Sequence, residues 1–182
     1  MTFEELYQTY SKLVLNLALQ YVQNIEDAEE ITQDVFISVH QSLSTFNHKA
    51  SFQTWIYRIT INKSLDYIKR KNRQKRITFI TSIFDKENVV TKAISQYMNH
   101  PGIIMEQKEA VEHIFKGINI LPDQQKTALI LSKLEYKSQK EVAEIMNLST
   151  KAVESLLQRA KTNMLKYLNN NEGNRDGHRL IK

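Results

Sequence analysis

Three observations predict an all-α fold: two small helical domains joined by a linker, the C-terminal one containing a helix-turn-helix. Apolar residues recur at spacings of three and four over several long stretches. Only four Gly and two Pro occur among 182 residues, which leaves little turn chemistry for an extensive sheet. The periodicity lapses over residues 77–101, where β-branched residues gather with Asp85, Asn88, Asn99, His100 and Pro101. The expected organisation is a domain over 1–76, a linker over 77–101 with a short helix near 90–98, a domain over 102–168 and a disordered tail over 169–182. That tail, NNNEGNRDGHRLIK, is poor in apolar residues and rich in Asn and Gly.

Along the first domain, Phe3, Leu6, Tyr7, Tyr10, Leu13, Val14, Leu17, Ala18 and Tyr21 form the clearest amphipathic stripe, with the tyrosines expected in the core. A second helix is expected from Asn24–Asp27, with Asp27 and Glu30 as a capping pair. Its inner stripe is Ala28, Ile31, Val35, Val39 and Leu43. The opposite face shows Glu26, Glu29, Glu30, Gln33, Asp34, Ile37 and Gln41. Such a face is either solvated or a docking surface; Ile37 among carboxylates, with Phe36 at the edge, favours docking of a basic partner. A polar loop with Phe46, Asn47, His48 and Lys49 leads to Ser51, which caps a long third helix. Phe52, Trp55, Ile56 and Ile59 point to the core, and Asn62 and Asp66 beside them need polar partners. That helix runs into Lys69, Arg70, Lys71, Arg73, Lys75 and Arg76, a grip for a nucleic-acid backbone.

In the second domain, Ile103, Ile104, Ala110, Val111, Ile114, Phe115 and Ile118 form another stripe ahead of Leu121-Pro122. Pro122 suits a first helical position, and Ala128, Leu129, Leu131 and Leu134 follow. Ser138 and Glu141 make a capping box for a short helix with Val142, Ala143 and Ile145 inside. Asn147-Leu148-Ser149 is a turn with a new N-cap. Val153, Leu156, Leu157, Ala160 and Leu165 then line the inner side of the next helix. Two short helices about a tight turn are the plan of a helix-turn-helix. The outer side of the second carries Thr150, Lys151, Glu154, Ser155, Gln158, Arg159 and Lys161. Gln and Arg can pair with base edges, and Lys can anchor phosphate; an ordinary solvated face has the same spacing.

Charge is unevenly spread over the net +5. Residues 1–68 carry −4, residues 69–76 carry +6, residues 77–112 carry −2 and residues 113–182 carry +5. An acidic body, a basic joint and a basic body point to two tasks rather than uniform attraction to polyanions. The absence of cysteine removes disulfides and thiolate metal sites and fits a reducing compartment. No export signal and no apolar run of membrane-spanning length are present, so a cytoplasmic protein without membrane insertion is expected. No HExxH, Walker A, GxGxxG or carboxylate dyad occurs, and the five His are scattered. No enzyme, metal or cofactor is expected.

Together, DAEEITQDVF (27–36), FQTWIYRITINKSLDYIKR (52–70) and LPDQQKTALIL…KEVAEIMNLSTKAVESLLQRAK resemble the extracytoplasmic-function (ECF) sigma factors of bacterial RNA polymerase. The first resembles that family's DAED-type segment, the second its promoter-opening helix, and the third its C-terminal helix-turn-helix. The resemblance covers roughly residues 3–72 and 103–168. It implies that Asp27, Glu30, Gln33, Asp34, Phe36 and Ile37 bind core RNA polymerase. It implies that Phe46, Asn47, His48, Lys49, Tyr57, Lys69, Arg70 and Arg73 engage the minus-ten element of promoter DNA. It also implies that Thr150, Lys151, Glu154, Ser155, Gln158, Arg159 and Lys161 read the minus-thirty-five element. Glu154 and Leu156 stand where many relatives carry basic residues. Holding a flipped base against unstacking needs a pocket and a basic channel, with no nucleophile, metal or cofactor. The family further implies an anti-sigma factor as partner and a monomer when free. A stand-alone helix-turn-helix regulator is the alternative, and it predicts a homodimer on palindromic half-sites. A helical adaptor without DNA function is the third reading, opposed by the Lys69–Arg76 run and the Gln158-Arg159 pair.

Overall fold

The computed structural model describes residues 1–82 and 105–176, and these are helical apart from short connections. The chain divides into two compact units, Met1–Gly102 and Ile103–Lys182.

In the first unit, α1 (Phe3–Val22), α2 (Ile25–Ser42) and α3 (Phe52–Ser82) pack on one another. Thr2 and Glu5 close a capping box at the start of α1, satisfying two backbone donors that the first turn leaves unpaired. Gln23 ends the helix in the left-handed conformation, its N–H bonding the Leu19 carbonyl at 2.8 Å. Asn24 then caps α2 by accepting from the Asp27 N–H at 2.8 Å. The N-cap is therefore Asn24 rather than Asp27, because a cap side chain must precede the donors it satisfies. Leu6, Val14, Ala18, Leu19, Ala28, Ile31, Val35, Phe36, Val39 and Ile56 form the core. A 3-10 turn, Leu43–Thr45, closes α2. Ser51 caps α3, its Oγ accepting from the Thr54 N–H at 3.0 Å. Asn62 and Asp66 are exposed, a position that does not require partners from protein.

In the second unit, α4 (Met105–Ile120) leads to α5 (Asp123–Leu129), a π-turn at Ile130–Leu134, α6 (Gln139–Met146) and α7 (Thr150–Asp176). Pro122 caps α5 from outside the helix rather than occupying its first turn. Ile118, Leu121, Ala128, Ile130, Leu131, Val142, Ala143, Ile145, Val153, Leu156 and Ala160 are buried. Gly117 lets α4 lie close on α7: a Cβ there would sit 2.7 Å from the Tyr167 ring. Val111 and Ile114 of the expected α4 stripe are exposed, as is Leu165 of α7.

The long helices overrun their expected ends. α3 continues through Ser82, past the expected boundary at residue 76, and α7 continues through Asp176 into the expected disordered tail. Extending a formed helix fixes only one further residue per hydrogen bond, so β-branched residues and Asn, which cost tenths of a kcal/mol each, do not stop it. The remainder of the expected linker, the short helix near 90–98, Ile103, Ile104 and residues 177–182 lie outside the described residues.

Candidate functional site

Three surfaces carry the residues singled out from the sequence. The first is a groove between α1 and α2, lined by Phe3, Glu4, Tyr7, Gln33, Phe36, Ile37, His40 and Gln41, with a volume of about 650 Å³. Periodicity places Ile37 on the outer side of α2, and it is 55% exposed. Tyr7, expected in the core, is 46% exposed and meets the Phe36 ring edge-on at 4.8 Å. Phe3 similarly meets Phe36 and His40, at 6.3 and 5.1 Å. An apolar floor of aromatic rings with polar residues at the rim has the composition of a protein-docking site. Gln33 is exposed and Asp34 half-buried on the same helix. Phe3, Tyr7 and His40 escaped the sequence reading, because a stripe of threes and fours does not say where its covered part ends.

Asp27 and Glu30, expected beside these residues in partner binding, are engaged within the unit. Asp27 accepts a 2.6 Å hydrogen bond from the Tyr67 hydroxyl and an ion-paired one from Lys71 Nζ, and its side chain is only 15% exposed. Burial first, and then the bond to Asp27, push the Tyr67 phenol far above its ordinary pKa. Arg70 donates to Glu30 at 2.7 Å, both side chains being about half exposed. Arg70 and Lys71 also lie over the Tyr67 ring, 5.0 and 5.7 Å from its centre. The start of α2 is thus clamped to the basic part of α3. Asp27 is a structural anchor rather than a free docking carboxylate.

The second surface is the loop before α3. Phe46 stacks on Phe52 and Trp55, with ring centres 4.6 and 4.7 Å away, and His48 meets Phe46 and Phe52 edge-on. Asn47 Oδ1 accepts from the Lys49 N–H at 3.2 Å, and His48 is held at φ 55°. This leaves Asn47, His48 and Lys49 exposed over an aromatic base. Lys69 and Arg73 are exposed on α3. Tyr57 is a correction to the expected DNA-contacting set: it is 2% exposed and belongs to the core. It lies one position after Ile56, and the face of α3 that packs on α1 and α2 is wide enough to take both.

The third surface is the outer side of α7. Ser138 and Glu141 close the capping box at the start of α6, with the Ser138 N–H donating to Glu141 Oε2 at 2.8 Å. Asn147 ends α6 at φ 53°, and Ser149 accepts from the Ala152 N–H at 3.2 Å to start α7. The turn therefore has the predicted residues in the predicted roles. Thr150, Lys151, Glu154, Ser155, Gln158, Arg159 and Lys161 are all exposed on one helix. Arg159 Nε leans back on the Ser155 carbonyl at 3.3 Å, which leaves its guanidinium fork to face outward contacts. Leu156 is buried, so it belongs to the core and not to this face. Among the described residues no group of His, Asp and Glu is arranged to hold a metal ion, and no helix is long and apolar enough to cross a membrane.

Residues 6–74 match the family model for sigma-70 region 2, and residues 115–164 match that for sigma-70, region 4. Over 159 residues the chain is 30% identical to the ECF RNA polymerase sigma-E factor of Haemophilus influenzae, a match covering 87% of this chain and 83% of that protein. The chain belongs to the ECF sigma factors. The sigma-E factor of Escherichia coli K12 is 28% identical over 159 residues, covering 87% of this sigma factor and 82% of the relative. Two solved folds are similar, each with a TM-score of 0.61. RpoE of Bartonella quintana, bound to the anti-sigma factor NepR, is 18% identical, with 92% of this chain and 96% of that one covered. CnrH, in complex with the cytosolic domain of CnrY, is 19% identical, with 92% and 87% covered. The region 2 match takes in the aromatic loop, the α2–α3 clamp and the groove apart from Phe3 and Glu4, and the region 4 match contains the α6–α7 turn.

Proposed function

We propose that this sigma factor divides its work by helix. The α1–α2 groove docks on core RNA polymerase through Tyr7, Phe36 and Ile37, with Gln33 and Asp34 at the rim. The loop at Phe46–Lys49 and the exposed basic residues Lys69 and Arg73 capture and open the minus-ten element. The outer face of α7 reads the minus-thirty-five element. The observation that carries this reading is the groove itself: apolar side chains stand in water on α1 and α2, while the aromatic loop and the cations belong to α3 and its approach. Exposed apolar surface with a polar rim suits a protein partner, and stacked rings beside cations suit single-stranded DNA. Opening a promoter in this way uses binding energy alone, so the polymerase supplies all the catalysis. The setting is the cytoplasm, where polymerase and promoter meet, and the free chain acts as a monomer. As with RpoE and NepR or CnrH and CnrY, a polypeptide anti-sigma factor is the expected inhibitor.

Run-off transcription with purified core polymerase, with and without this chain, tests the function directly. Ile37→Lys tests the groove. Placing a charge in a desolvated apolar contact is expected to weaken core binding by about 30-fold or more, with helical content unchanged. Core affinity equal to that of the parent removes the groove from the interface.

A further inference from the structure

The turn that precedes α6 holds an exposed aromatic residue in the left-handed conformation. Four non-glycine residues have positive φ among the described residues: Gln23, His48, Tyr136 and Asn147. Gln23 and Asn147 end helices, where short or flexible polar side chains tolerate the left-handed conformation. Tyr136 is different. The π-turn ends with the Glu135 N–H bonded to the Ile130 carbonyl at 3.0 Å and the Lys137 N–H bonded to the Leu131 carbonyl at 2.9 Å. This wrapped end requires a left-handed residue at 136, the position glycine fits best. A large aromatic stands there instead, at φ 53° and 88% exposed. Its strain is therefore not offset by burial, which points to a use outside the fold.

Its place in the motif says which use. Tyr136 lies two residues before Ser138, the N-cap of α6, and in a helix-turn-helix the first helix crosses the DNA backbone. Lys133 and Lys140 are exposed on the same stretch, while Lys137 pairs with Glu141 at 3.6 Å. A long, rigid side chain ending in a neutral donor, flanked by cations, suits a phosphate oxygen. We propose that the Tyr136 hydroxyl donates a hydrogen bond to a backbone phosphate beside the base pairs read by α7, fixing the register of that helix. This rests on the reading of α7 as the upstream DNA reader.

The test uses the full chain bound to core polymerase and the duplex that the parent complex enriches from a pool with a randomised upstream element. Tyr136→Phe and Tyr136→Gly are each expected to weaken binding of that duplex roughly two- to tenfold. Ethylation interference should show one phosphate whose modification hinders the parent but not Tyr136→Phe. The salt dependence should keep its slope, since a neutral donor releases no counterion. Tyr136→Gly should also melt a few degrees higher than the parent, separating lost contact from lost fold. A Tyr136→Phe complex with parental affinity and an unchanged interference pattern overturns the proposal. So do variants that lose core polymerase and keep DNA, an outcome that assigns Tyr136 to a protein contact. If the parent complex enriches no upstream sequence, the α7 reading fails and this inference falls with it.

Discussion

On α3, Lys71 and Arg70 meet Asp27 and Glu30 of α2; on α7, Lys151, Arg159 and Lys161 stand exposed around Glu154. Both regions place cations near acids on exposed helix faces, yet only the first joins them into a network. The difference lies in where the acids are. In region 2 they sit on a neighbouring helix at hydrogen-bond distance, so part of the basic run is used to hold the unit together. In region 4 the cations of the exposed face share it with Glu154, which pairs with none of them, and remain available to a polyanion. A dense basic run is therefore not a measure of DNA-binding charge until its internal partners are known.

The largest effect that separates the two regions is on stability. Asp27→Ala removes the acceptor of both Tyr67 and Lys71 in a mostly buried place, and a loss of about 2–3 kcal/mol is expected. Glu30→Ala breaks a half-exposed pair and should cost at most about 1 kcal/mol. Urea unfolding followed by Trp55, the only tryptophan, reports on region 2 alone. Equal losses for the two variants would break the distinction between anchor and surface pair.

Next comes the free set of cations. Arg159→Ala should cost about 1–3 kcal/mol in promoter binding and relax preference at one upstream base pair, without shifting the Trp55 transition. Selection over randomised upstream elements is the measurement. A uniform loss across sequences, with a shallower salt slope, would assign Arg159 to phosphate instead.

The smallest effect is at the start of α6. Hydrogen bonds from the Ser138 side chain, and then from its backbone N–H, hold the Glu141 carboxyl below its ordinary pKa. A carboxylate with a lowered folded pKa adds stability that is fully present above the unfolded value and lost as pH falls through the folded one. Glu141→Gln should therefore melt lower than the parent near pH 7, and the gap should close as the pH falls below about 4. A gap that persists in acid would mean that the box acts through shape and not charge.

Much of this was legible in the chain. Ser138 with Glu141, Asn147, Ser149 and Ser51 act over three or four residues, so their spacing sets the helix ends directly. The exposed face from Thr150 to Lys161 follows from the same local period. Leu165 was misplaced because periodicity gives the direction of a stripe and not its width, whereas Tyr57 was assigned by resemblance, which carries no information on its burial here. Asp27 was legible as a charged residue near a helix start; its partners, 40 and 44 residues away, left no local pattern.

By itself, then, the sequence determined what nearest-neighbour chemistry controls: the all-helical class, the caps, the helix-turn-helix and the placing of polar and apolar stripes. Tertiary structure decided which polar residues are spent on the fold. Asp27, Glu30, Arg70 and Lys71 lie on the same two helices as Asp34 and Arg73. The packing of α2 against α3 brings the first set within hydrogen-bond reach. An ion pair depends on distances that helix period alone does not set, and only the crossing of two helices fixes them.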